Sequence, residues 1–330
     1  MAEQVKLSKG KFKLAGLING TKREKFVTAR TFDSGKTKQT CNFAVKTSNK
    51  NETWVTVEGF DSDKAKFQKY DSKEKKNYTK EVDWDDRFNF KEEGYRPIFG
   101  VGLTFEKDDY KNLFPFDAVY ELESELYDDM PVYVEGNIQY QSYKNDKGEV
   151  RRFINFKPTK IRRSTKEIDF NAEDFNELNL FEQEIIFMDI NPHPEQKDRF
   201  VLEANIITGT KSEPKVEDVE FFIDDKKLAT TLKKNLKPYY AVTVFGRLIN
   251  SVVEEDVPAD SDVWGEDDAE FNVVSAPKIR EMVITKVYKN TVDKTSYNEE
   301  IISSIKQATD SFGDTEWDDK DSDDDNVWED

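Results

Sequence analysis

The sequence predicts a mainly β protein of two five-stranded barrels in tandem, with short helices and an acidic C-terminal tail. Three observations carry this. Apolar and polar residues alternate with period two over many short stretches. One strand pattern, Val-x-Val-x-Gly-x-aliphatic, occurs twice, as VYVEGNI from Val132 to Ile138 and as VTVFGRL from Val242 to Leu248. Residues 310–330 hold 11 acids and one Lys with no apolar period, a composition that reads as disordered.

In chain order, KFKLAGLI (11–18) is the first predicted strand, followed by TCNFAVKT (40–47) and WVTVEGF (54–60). Alternation places Phe43, Val45, Val55 and Val57 in the core. It leaves Trp54, Phe60 and Lys46 on the other face, beside Lys38 and Lys50. Residues 61–95, which are Lys-rich, and 106–127 read as helical or irregular, the former as an insertion. PVYVEGNIQY (131–140) and VRRFINFKP (150–158) then form a hairpin. Its core side is Val132, Val134, Ile138, Ile154 and Phe156. Its outer side carries Tyr133, Asn137, Arg151, Phe153, Asn155 and Lys157, with Tyr143, Lys160, Arg162 and Arg163 alongside. Gly136 inside a strand marks a bulge, a bend or a close backbone approach, which a small barrel needs in order to close.

The second half repeats the order. EIIFMDI (184–190), RFVLEANIIT (199–208), VEFFI (219–223), YAVTVFGRLI (240–249) and FNVVSA (271–276) read as strands. Between them DKKLATTLKKNL (225–236) spaces Leu228, Leu232 and Leu236 as one helical stripe. FINFKPTKIR in the first half and FNVVSAPKIR in the second both open on Phe and close on Lys-Ile-Arg, which supports a duplication. The expected organisation is a first domain over 1–165, a linker over 166–180, and a second domain over 181–295 with an acidic loop at 251–270. A short helix over 296–309 and the tail over 310–330 follow.

The net charge of −18 argues at first against any nucleic-acid partner, but it is localised. The tail accounts for −10 and residues 254–270 for −9, leaving +1 for everything else. Residues 1–50 carry +9 and residues 144–166 carry +7. Local field governs long-range attraction more than total charge does. No apolar run is long enough to span a membrane. The N-terminus shows no apolar signal region, and one cysteine, Cys41, allows no internal disulfide. A cytoplasmic location is expected.

The quoted strands resemble the OB-fold single-stranded DNA-binding proteins of bacteria and their phages. KGKFKLAGLI is similar to their first strand and TCNFAVKTSNKNETWVTVEGF to their second and third. VYVEGNIQYQSYKNDKGEVRRFINFKPTKIRR is similar to their fourth and fifth, joined by a long basic hairpin. The resemblance covers about residues 8–165 and, less specifically, 180–290. It implies two tandem OB-fold-like barrels, non-specific binding and protection of single-stranded DNA in replication or recombination, and no cofactor. It also implies an acidic tail that recruits replication proteins such as a polymerase, helicase or primase. The chain departs from the family in its two modules, in its insertion, and in ending on Val327-Trp328-Glu329-Asp330 rather than a Pro-Phe tip. Size and tandem layout point to a phage source, hence the host cytoplasm.

Single-stranded DNA offers phosphate charge and unstacked base faces, so a binder needs cations beside aromatics. The candidate residues are Lys38, Lys46, Lys50, Trp54, Phe60, Tyr133, Tyr143, Arg151, Phe153, Lys157, Lys160, Arg162 and Arg163. In the tail, Trp317 and Trp328 with Asp323, Asp324 and Asp325 are the candidate partner-binding residues. An outward aromatic on a strand also serves simply as packing under a loop, and a lysine cluster as a solvated face. The acidic loop of the second module repels phosphate. An enzyme is not expected. The single His193 and single Cys41 build neither a zinc site nor a nucleophile pair. SGKTK (34–38) lacks the upstream glycine of a phosphate-binding loop, since position 30 is Arg30. Two other readings of the charge stay open: an acidic DNA mimic or host-takeover protein, and a β-barrel scaffold.

Overall fold

The structure, a computed structural model, describes residues 5–144, 150–252 and 278–311. The chain divides into two compact units. The first unit is formed by Ser8–Glu184 with Phe245–Arg247, and the second by Ile185–Val244 with the described residues on either side.

In the first unit β1 (Gly10–Asn19), β3 (Thr37–Ser48) and β4 (Asn51–Phe60) form an antiparallel meander, with β2 (Val27–Thr31) added to the edge of β3. After an insertion come β8 (Val101–Thr104), β9 (Tyr110–Leu113), α1 (Pro115–Glu125), β10 (Pro131–Lys144) and β11 (Val150–Arg163). β10 pairs antiparallel with both β1 and β11, and β11 pairs parallel with β8. The third barrel position is therefore split. β4 occupies its β3 side, and β8, returning from the insertion, occupies its β11 side. Phe12, Leu14, Phe43, Val45, Val55, Val132, Val134 and Ile161 fill the interior. The alternation of each strand dictates this inner set.

Closure depends on two glycines. Of the alternatives expected at Gly136, the structure shows a close backbone approach, at a register shift between Glu135 and Gly136 whose extra residue is Thr159 of β11. A Cβ at Gly136 would lie 2.1 Å from the Lys157 carbonyl oxygen. At Gly16 a Cβ would lie 2.1 Å from the Lys46 carbonyl oxygen. There β1 leaves β10 and takes up pairing with β3.

The second unit has the same connectivity. β12 (Leu178–Pro192), of which the part from Ile185 belongs here, pairs antiparallel with β13 (Phe200–Gly209), and β13 with β14 (Pro214–Ile223). α2 (Lys226–Asn235) follows, then β15 (Ala241–Val252) and β16 (Lys278–Val287). β16 lies between β14, to which it is parallel, and β15, and β15 returns to β12. Numbered within each unit, the order is 1-2-3-5-4-1 with a helix between strands three and four. This is the OB-type closed barrel. α3 (Glu299–Ser311) ends the described chain. Among the described residues no helix is long and apolar enough to cross a membrane.

Two expectations need correction. The first part of 61–95 is neither helical nor irregular. It forms the hairpin of β5 (Lys64–Asp71) and β6 (Lys76–Asp83), in a three-stranded sheet with β7 (Arg96–Pro97), and only after it does the chain pass through a short 3-10 turn at Trp84–Asp86 into irregular structure. Two of the lysines that suggested a solvated helix face acids across the hairpin. Lys64 pairs with Asp83, and Lys66 with Glu81 at 3.1 Å, both directly opposite in register. Ala65 and Phe67 are the buried side of that strand. Second, Ile154 is not core but 45% exposed, because the parallel pairing of β11 with β8 covers only Lys160–Arg162. FNVVSA (271–276) lies outside the described residues.

The insertion is fastened to α1. The Arg87 guanidinium donates to both Asp117 carboxylate oxygens, at 2.9 and 2.8 Å, and to the Trp84 carbonyl at 2.6 Å. Arg87 and Asp117 side chains are only 11% and 8% exposed. Asp117 also sits in the first turn of α1, whose N1 residue is Pro115. Around this pair Phe67 packs against Phe90 and Phe114, and Trp84 against Phe114 and Phe116. Arg87→Met leaves a buried carboxylate alone and should cost about 3 kcal/mol in urea unfolding at neutral pH. The double variant Arg87→Met/Asp117→Leu should recover much of that loss. If both variants match the wild type, this ion pair does not hold the insertion.

Candidate nucleic-acid interface

The outer face of β2–β3–β4 in the first unit is built by the residues that alternate with the core. Across β3 and β4 the outward pairs are Lys38 with Phe60, Thr40 with Glu58, Asn42 with Thr56, Ala44 with Trp54 and Lys46 with Glu52. From Trp54 to Phe60 the face runs roughly 20 Å at the rise of an extended strand.

Each end of this face is a cation stacked on an aromatic ring. At one end the Arg23 guanidinium lies 4.7 Å over Trp54, which is half-buried against Gly20. Lys46, also half-buried, reaches over Phe170 at 6.0 Å. Lys50 is exposed in the turn between β3 and β4. At the other end Phe60 is 48% exposed and 5.8 Å from Phe32, with Lys38 over Phe60 and Arg30 over Phe32. Sequence reasoning missed Arg30 and Phe32. Only the register of β2, which puts Arg30 opposite Lys38, brings them to this face.

Between the two ends Glu58 binds both Lys38 and Lys157, each at 2.8 Å. Burial opposes the charged form of Glu58, but Lys157 and Lys38 outweigh it and hold the carboxyl below its ordinary value. For Lys157 burial is the dominant influence and lowers its pKa, against the pull of Glu58. Lys157, with a side chain only 17% exposed, is thus tied into the barrel wall.

The hairpin of β10 and β11 carries the remaining candidates. Arg162 lies opposite Tyr133 with its guanidinium 4.5 Å over the ring, and Tyr133 donates to Glu135 at 3.2 Å. Lys160 faces Glu135 at 3.7 Å, and Arg163 lies over Tyr127 at 5.8 Å. Arg151 and Phe153 are exposed further along the hairpin, where Arg151 pairs in register with Tyr143. The side chain of Tyr143 and the tail residues Trp317, Asp323, Asp324, Asp325 and Trp328 lie outside the described residues. The structure therefore gathers Lys38, Lys46, Trp54, Phe60 and Lys157 on or beside one barrel face. It places Tyr133, Lys160, Arg162 and Arg163 together on the hairpin.

The equivalent face of the second unit is closed. Ile186 and Ile207, on the outer sides of β12 and β13, are covered by Ile302 and Ile305 of α3, with Val216 packed against the same cluster. Lys306 of α3 adds an ion pair to Asp218 at 2.7 Å. This face is aliphatic where the first is aromatic and cationic. The acidic loop of that unit lies, from residue 253, outside the described residues.

Comparison with known proteins gives three findings. A family model described as YorF matches residues 69–318, about three-quarters of the chain. No curated protein matches it. In structure the chain is similar to the wild-type single-stranded DNA binding protein from Thermus aquaticus, with TM-score 0.39 and 11% identity over 89% of this chain and 99% of that chain. An internally deleted, singly substituted variant of the same protein gives TM-score 0.41 and 10% identity over 89% of this chain and 98% of that chain.

The Glu58 arrangement has a pH signature. Its folded pKa lies below the ordinary value of 4.5. Its stabilisation is therefore fully present above that value and is lost as pH falls through the lower folded value. From about pH 6 to about pH 3 the urea midpoint of the wild type should fall further than that of Glu58→Gln. Parallel falls would show that the two lysines do not hold Glu58.

Proposed function

We propose that this chain, which belongs to the YorF family, binds single-stranded DNA with little sequence preference, and protects it during replication or recombination. The observation that supports this best is the outer face of β3 and β4, where cations stacked on Trp54 and Phe60 bracket a polar strip on an OB-type barrel. Unstacked bases can be taken up by the rings and phosphates by the adjoining Arg and Lys. The binding is an equilibrium with no chemical step. The first barrel carries it. The second, whose matching face is filled by α3, acts as the platform from which the tail leaves. The hairpin residues Tyr133, Tyr143, Arg151, Phe153, Lys160, Arg162 and Arg163 extend the path of the strand.

Titration of the full chain with an oligo-dT strand, followed by tryptophan fluorescence, tests this. Affinity should fall steeply with salt, as phosphate contacts release counterions. Trp54→Ala should weaken binding by about 1 kcal/mol or more. Salt-insensitive binding, or none, removes the proposal.

In this reading the acidic tail is a tether that recruits replication proteins through Trp317 and Trp328 among Asp323, Asp324 and Asp325. Before DNA arrives it competes for the basic face. Deleting residues 310–330 should therefore tighten oligo-dT binding, chiefly at low salt, where charge is least screened. Equal affinities at low salt would leave the tail with partner recruitment alone.

A further inference from the structure

The insertion carries a second row of cations on rings, on one side of its hairpin. Register sets Phe67 opposite Lys80, Lys69 opposite Tyr78 and Asp71 opposite Lys76, and alternation puts them all on the same side of the sheet. At Phe67 this side is closed, because Phe90 packs on it at 4.4 Å between ring centres and Phe114 at 5.2 Å. Toward the hairpin turn it opens. Lys76 and Lys80 are exposed there, with Lys69 and Tyr78 half-buried between them. The chain returns over this side through the turn Glu92–Tyr95, in which the Tyr95 amide donates to the Glu92 carbonyl at 3.2 Å. Gly94 in that turn has a φ of +80°, and a Cβ there would lie 3.0 Å from the Lys69 side chain, so the turn rests on the lysine stem. Tyr95 is thereby held between two cations, Lys80 at 5.2 Å and Lys69 at 5.9 Å from its ring centre. Lys76 lies 5.3 Å over Tyr78.

The acids nearby leave these cations available. Lys80 pairs with Glu92, but both side chains are more than two-fifths exposed, and exposed pairs are weak enough for a polyanion to displace. The Tyr78 hydroxyl donates to Glu74, Lys69 donates to the Glu93 carbonyl at 3.1 Å, and Asp71 accepts from the Lys73 and Glu74 amides. Over residues 69–80 five lysines stand against Asp71 and Glu74, so the local field favours an anion. A compact anion would use the charge and leave the rings idle. An unstacked nucleic-acid strand uses both, with bases on the rings and phosphates on the lysines. The insertion also starts where the barrel face ends, since β5 begins at Lys64, just past Phe60 of β4.

We infer that this side of the insertion is a second contact for single-stranded DNA, with bases on Tyr78 and Tyr95 and phosphates on Lys69, Lys76 and Lys80. The inference rests on the single-stranded DNA reading for the identity of the ligand. It extends that reading by carrying a strand that passes the Phe60 end of the barrel face onto the hairpin.

The test titrates the full chain with an oligo-dT of about 40 nucleotides, longer than the roughly 4–16 that one OB fold covers. Tyr78→Ala should weaken binding about fivefold, the loss of one stacked base. Lys69→Gln/Lys76→Gln/Lys80→Gln should flatten the slope of log affinity against log salt by about 2, as three phosphate contacts are given up. Tyr78 lies on the edge strand of the three-stranded sheet, so Tyr78→Ala keeps the test open if the triple variant does not fold. Wild-type affinity and wild-type slope in these variants overturn the inference. Trp54→Ala, measured in parallel, separates the two readings. If it leaves the affinity intact while the insertion variants weaken it, the barrel reading fails and the insertion contact stands.

Discussion

A barrel of short strands closes only if its backbones come closer at two corners than any side chain allows. At Gly16 and Gly136 a methyl group would sit 2.1 Å from a carbonyl oxygen of the neighbouring strand. The first corner lets β1 pair with β10 along most of its length and with β3 at its end. The second sets the register of β11 after the bulge, and so decides that Lys157 and Lys160 both face outward. The hairpin side of the candidate interface hangs on the second of these registers. With a different step at Gly136, Lys157 would not reach Glu58, and Arg162 would not stand over Tyr133.

The interface itself is made of compensated charge. Lys38 and Lys157 share Glu58, Lys160 faces Glu135, and Lys46 stands opposite Glu52 in register. Arg23, Arg30 and Arg162 lie on aromatic rings. Exposed ion pairs are individually weak, so a polyanion can compete for most of these cations at small cost. Lys157 is the exception, since its burial ties it to Glu58. The face thus combines cations that can exchange partners with one fixed ion pair that holds strand to strand.

The insertion applies the same chemistry to another end. Lys64 and Lys66 are matched to acids across the hairpin, and its buried cation Arg87 is matched to Asp117. What remains is a cavity with mostly aromatic walls, lined by Phe67, Phe88, Phe90, Tyr95 and Phe114. The second unit shows the opposite use of the barrel. Ile302 and Ile305 close its outer face with aliphatic contacts, so the two barrels share a topology but not a surface.

Alternation and the Val-x-Val-x-Gly pattern were enough to predict a mainly β chain, two barrels and the close approach at Gly136, because these follow from local periodicity and from the absence of a Cβ. The inward set of Val132, Val134, Val55 and Val57 was legible for the same reason. Partnership across strands was not. The lysines of 61–95 look like a solvated helix until register sets Asp83 and Glu81 opposite them. Ile154 looks like core until β11 outruns its neighbour, and Arg30 and Phe32 join the interface only through β2. The lid on the second barrel was equally hidden, since nothing in Ile302 or Ile305 names Ile186 and Ile207 as their counterparts. The sequence by itself determined which side of each strand is apolar. Only the tertiary structure decided which outward residues meet, because that depends on register and closure between segments far apart in the chain.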